Sequence, residues 1–98
     1  MSEEYPLETP IEAHGESLSV LTIRRPTPHE ARAIKALPYK MDGNGDVTLE
    51  LETAARYIAV CAAIPPSAVN QLDLSDFNAL CWKVAGFFLT PGSEKSKA

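Results

Sequence analysis

Proline sets the hardest limits on what this chain can build. Pro26 and Pro28, Pro38, the pair Pro65 and Pro66, and Pro91 each forbid a regular element from running through, because proline lacks the N–H that a ladder or helix needs and disfavours helix in the residue before it. Every helix or strand must therefore fit between these points. Ahead of Pro26, Leu7, Thr9, Ile11 and Ala13 alternate with Glu8, Glu12 and His14, and Leu18 to Ile23 (LSVLTI) is rich in strand formers. That pattern predicts a β-hairpin turning at Gly15. In TPHE, Thr27 as N-cap, Pro28 at the first helical position and Glu30 three residues after Thr27 form a capping box. The helix so started presents Ala33, Ile34 and Leu37 on one side, Arg32 and Lys35 on another, and must stop at Pro38.

Between Pro38 and Pro65, a second helical pattern starting at Leu49 or Leu51 carries Leu51, Ala54, Ala55, Ile58, Cys61 and Ala62 at helical spacing. Ser67 is placed to cap a short helical turn through Ala68, Val69 and Leu72. Asp73 or Ser75 caps a last helix in which Phe77, Leu80, Cys81, Val84, Phe87 and Phe88 keep the three-and-four rhythm. The fold class is α+β: an N-terminal hairpin, three helices and a short helical turn, the helices packed on one another and on one hairpin face. Residues 1–6 are expected to be a flexible acidic N-terminus, 7–90 a single small domain, and 91–98 a disordered polar tail.

The stretch MDGNGDVTLE, Met41 to Glu50, raises a metal question, because Asp42, Asn44 and Asp46 stand two residues apart as in a calcium loop. An EF-hand loop counted from Asp42 needs glycine at its sixth position and a bidentate glutamate at its twelfth. Val47 and Thr53 occupy those places, and Pro38 interrupts the helix that should lead in. The stretch reads as a Gly-rich acidic connector, and a calcium-responsive module remains only a rival reading.

A formal net charge of −4 argues against nucleic acid, since neutralising phosphates takes a concentrated basic surface. The charges are segregated: Glu3, Glu4, Glu8, Glu12 and Glu16 make the first sixteen residues purely acidic, while Arg24, Arg25, Arg32, Lys35 and Lys40 oppose only Glu30. With no secretory leader pattern and no apolar run of membrane-spanning length, a soluble cytosolic protein without membrane contact is expected. Cys61 and Cys81 lie in apolar surroundings with no CxxC spacing and read as small core residues. His14 falls in the hairpin turn and His29 in the first turn of a helix, neither beside a nucleophile or paired carboxylate. The residues contain no catalytic, cofactor-binding or metal-ligating constellation, so a non-enzymatic chain is expected.

More telling is how little charge the later chain carries. From Arg56 to Thr90 the charged residues are Arg56, Asp73, Asp76 and Lys83. A helix in so small a domain normally keeps a broad polar face, so apolar surface is expected to remain uncovered and to take a partner. Trp82 lies off the core rhythm, and Phe77, Trp82, Val84, Phe87 and Phe88 are the candidate partner-binding residues. The competing reading packs Trp82 and Phe88 on the hairpin as ordinary core.

The order of parts, with Leu21 to Pro26 and Thr27, then Pro65 with Leu72, Asp73 and Asp76, and a closing GFF from Gly86 to Phe88, resembles the phage tail assembly chaperone family of Mu-like and related contractile-tailed phages, over Leu7 to Phe88. The shared pieces look like strand ends and helix caps. The resemblance implies a small non-enzymatic factor, without a cofactor, in the cytoplasm of a bacterial host or lysogen. It would be absent from the finished tail, bind the tape measure protein and help recruit the tail tube protein, with self-association possible. In this family a longer frameshifted product is often made, and the polar end after Pro91 would suit such an extension. A structural component of the virion is the other rival.

Overall fold

The computed structural model describes residues 2–89, so the tail expected over 91–98 lies outside the described residues. Its elements run β1 (Ser2–Ala13), β2 (Glu16–Arg24), α1 (Pro28–Ile34), β3 (Tyr39–Met41), β4 (Val47–Leu49), α2 (Leu51–Ala62), α3 (Pro66–Val69) and α4 (Leu74–Leu89). The expected α+β order, a hairpin followed by three helices and a short helical turn, is what forms.

β1 and β2 pair antiparallel from Ala13 opposite Glu16 out to Ser2 opposite Arg24. His14 and Gly15 both have positive φ, 57° and 76°, the backbone twist that a two-residue hairpin turn requires. The first six residues, expected to be loose, are strand from Ser2 onward. Their acidic side chains are exposed, yet Tyr5 pairs with Leu21 and packs on the core. Polarity in Glu3 and Glu4 describes the solvent side of a strand here, not a lack of structure. Between Pro6 and Ile11 the register slips, which frees the Glu8 N–H from the ladder.

α1 starts as expected. Thr27 Oγ1 accepts from the Glu30 N–H at 3.1 Å while Glu30 Oε1 accepts from the Thr27 N–H at 2.9 Å. The helix ends at Ile34, before Pro38, because Lys35 turns left-handed at φ 68°. Between Pro38 and α2 the expected connector contains a second hairpin, with Tyr39 opposite Leu49 and Met41 opposite Val47. Asp42 Oδ1 accepts the Asn44 and Asp46 N–H groups, both at 2.9 Å, and Gly45 takes φ 86°. The spacing that resembled a calcium loop belongs to this tight turn, held by its first aspartate. α2 begins at Leu51, and Leu49 belongs to β4. α3 begins with Pro66 at its first position and Pro65 as N-cap, without a side-chain cap, so Ser67 is not the cap. Asp73 does cap α4, its Oδ2 accepting the Ser75 N–H at 3.0 Å.

The core joins Ile11, Leu21 and Ile23 of the hairpin to Ala54, Tyr57, Ile58 and Cys61 of α2 and to Leu80, Cys81 and Val84 of α4. Full burial of each large aliphatic side chain contributes about 1.5–3 kcal/mol. Tyr57 is 0% exposed and its hydroxyl donates to the Ala36 carbonyl at 2.6 Å, which removes the cost of burying it. Phe88 meets the Tyr57 ring edge-on at 5.2 Å and the Tyr39 ring at 6.4 Å. It therefore packs on α2 and the second hairpin.

Candidate functional site

α4 has two faces of unlike character. Leu80, Cys81, Val84 and Ala85 are buried, while Phe77, Phe87 and Phe88 are half-buried against the same core. Opposite them, at steps of three and four, stand Leu74, Asn78, Trp82, Gly86 and Leu89, with Ser75 and Ala79 alongside. Leu74 is 79% exposed, Trp82 47% and Leu89 44%. No residue of this outer stripe is charged. A solvated helix face of this length ordinarily carries several charges.

The two charged residues of α4 lie together on the flank against β1. Asp76, 1% exposed, accepts from the Tyr5 hydroxyl at 3.1 Å and from the Glu8 N–H released by the register slip at 2.7 Å. Lys83 Nζ donates to Glu3 Oε1 at 2.6 Å. Just before α4, the Gln71 side chain accepts the Glu12 N–H at 2.8 Å and donates to the Glu12 carbonyl at 2.9 Å. These bonds lay β1 along the helix and leave the uncharged stripe to solvent. Burial, followed by the hydrogen bond to Asp76, raises the Tyr5 hydroxyl pKa.

At the far end of α4 a cleft of about 460 Å³ opens between Phe87 and Phe88 and the segment Arg25, Pro26, Thr27, Pro28 and Ala31. One wall is fixed by Arg25, whose guanidinium donates to the Phe87 carbonyl at 2.6 Å and lies 5.5 Å from the Phe87 ring centre. A cation there complements the carbonyl end of the helix. Arg24 next to it makes a two-pronged pair with Glu30 at 2.7 and 2.8 Å, which holds the Glu30 carboxyl down to about 2. The LTIRRPT stretch is thus a joint: one arginine ties β2 to α1, the other to α4.

The structure separates the five candidate partner residues. Trp82 lies on the outer stripe. Phe87 and Phe88 line the cleft, and Phe77 packs partly on the core. Val84 is 0% exposed and so is not available to a partner in this conformation. The core rhythm alone does not single out Leu74 and Leu89, although counting by threes and fours from Trp82 reaches both. Of the histidines, His29 is exposed on α1 and His14 Nε2 lies 3.0 Å from the Ala63 carbonyl oxygen. Both thiols are buried and free, and desolvation pushes each up to about 11, far from a reactive thiolate at neutral pH. Among the described residues no three of His, Cys, Asp or Glu converge on a possible metal position, and no helix is long and apolar enough to cross a membrane.

Comparison with known proteins adds one finding: a family model described as phage tail assembly chaperone proteins, E, or 41 or 14, matches residues 4–89. No curated protein and no solved structure gives a significant match.

Proposed function

Because the chain belongs to the phage tail assembly chaperone family, we propose that it holds the tape measure protein of a phage or prophage in the host cytoplasm through the outer face of α4, without catalysis, until tail tube subunits enclose that protein. The observation that carries this reading is the uncharged stripe itself, with Leu74, Trp82 and Leu89 each more than two-fifths exposed. A tape measure is a long helical chain with apolar seams, and such seams aggregate unless covered. An exposed helix face covers a helical seam by ridge-into-groove packing and releases it again when the tube protein competes.

The test is coexpression of the full chain with the tape measure gene of the same genome. Wild type is expected to bring the tape measure protein down with it. A Leu74→Ser, Trp82→Ser double variant, altering only exposed side chains, is expected to keep its circular dichroism and melting temperature and to lose capture. Undiminished capture by the folded double variant would overturn the reading. Mass spectrometry of purified tails is expected to find no copies of the chain, whereas stoichiometric copies would make it a structural component.

A further inference from the structure

The stripe on α4 has a border of definite charge. β1 runs along the Asp76 and Lys83 flank of the helix, tied there by the contacts of Glu3, Tyr5, Glu8 and Glu12 with Lys83, Asp76 and Gln71. Glu4, Glu8 and Glu12 on that strand have exposed side chains, and from Ser2 to Ile23 the hairpin contains no lysine or arginine. An uncharged helix face lying beside an acidic strand is complementary to an apolar seam edged by cations.

We infer that the surface formed by the outer face of α4 and the neighbouring β1 carboxylates docks an amphipathic helix whose apolar seam is bordered by lysine or arginine. The inference rests on the proposed function and specifies which segments of the tape measure protein are held. Helical shape suits the site because Ser75, Ala79 and Gly86 flank Trp82 with small side chains, so a second helix can approach to about 8–10 Å between axes. An anionic lipid surface would be repelled by the same carboxylates. A second copy of this chain would bring its own acidic strand.

Two designed helical peptides of about 20 residues serve as probes: one with a leucine and alanine seam bordered by lysines, the other with every lysine replaced by glutamate. Each is titrated into the full chain, with peptide anisotropy reporting affinity and the emission of Trp82, the one tryptophan, reporting contact with α4. The lysine peptide is expected to bind with a blue shift of Trp82 and an affinity that falls with added salt, the glutamate twin roughly tenfold or more weaker. A Glu4→Gln, Glu8→Gln, Glu12→Gln variant is expected to lose roughly fivefold in affinity for the lysine peptide and most of its salt dependence. Equal binding of the twins, failure of both to bind, an unmoved Trp82 emission, or an unchanged triple variant would each overturn the inference. If the chain still captures the tape measure protein through α4 in that event, the proposed function stands and only the charge rule falls.

Discussion

Replacing Asp76 by alanine removes the carboxylate that joins the N-terminal strand to the last helix. The Glu8 N–H donates to it at 2.7 Å and the Tyr5 hydroxyl at 3.1 Å. A hydrogen bond to a charged acceptor is worth about 1.5–3 kcal/mol. The short backbone bond belongs near the top of that range, since the register slip leaves Glu8 without a ladder partner. The longer Tyr5 bond belongs at the bottom, since its half-buried hydroxyl can turn to water. Together the loss is about 4–4.5 kcal/mol, a large part of the 5–15 kcal/mol a domain typically has. At about 4–8 °C per kcal/mol for a chain of this size, the melting temperature should fall by about 16–36 °C. Asp76→Asn keeps one acceptor oxygen but presents an amide donor to two donors, and about 1–2 kcal/mol is expected. Urea titration followed by far-ultraviolet circular dichroism and Trp82 fluorescence measures both variants. The Tyr5→Phe variant, costing about 1 kcal/mol, should couple to Asp76→Ala in a double-mutant cycle. An Asp76→Ala variant within about 0.5 kcal/mol of wild type would refute the reasoning, because both donors would then be satisfied without the carboxylate.

Two further predictions follow from the backbone and from charge. Ala63 ends α2 in the left-handed region at φ 57°, so Ala63→Gly should stabilise the protein by about 0.5–1 kcal/mol in the same urea titration. Glu30 has its pKa lowered from 4.5 to about 2, chiefly by the hydrogen bond from Arg24. A depressed carboxyl contributes stability above its unfolded value and loses it as pH falls through the folded one. The difference between wild type and Glu30→Gln should therefore be greatest above pH 4.5 and vanish near pH 2. It should reach only about 1 kcal/mol, since Arg24 and Glu30 both remain partly exposed to water.

Where local chemistry decides the outcome, the sequence was readable. Thr27, Pro28 and Glu30 start a helix by bonds among themselves, and Gly15 supplies a turn whatever surrounds it. The helix rhythm put Leu80 and Cys81 on the core side, where both are buried. Tertiary contact decided the rest. Three-residue strands at Tyr39–Met41 and Val47–Leu49 are too short for a period to show, and their turn spells DGNGD, the same letters a cation loop uses. The acidic start is strand because Tyr5 and the Glu8 amide reach Asp76, a partner about seventy residues away that no local pattern reveals. Lys35 ends α1 early by turning left-handed, which proline spacing could not anticipate. For the candidate site, scarcity of charge pointed to α4, whose outer stripe is uncharged and partly exposed. It did not separate Trp82 from Val84, because inward and outward apolar residues on one helix differ only in phase.

The central claim is that the outer face of α4 is what the tape measure protein covers, and acrylamide quenching of Trp82 in the free chain and in the purified complex tests it most directly. At 47% exposure the free indole should be readily quenched, and in the complex the quenching constant should fall by roughly threefold or more as the interface excludes the quencher. A stable complex in which Trp82 is quenched as readily as in the free chain would contradict the account.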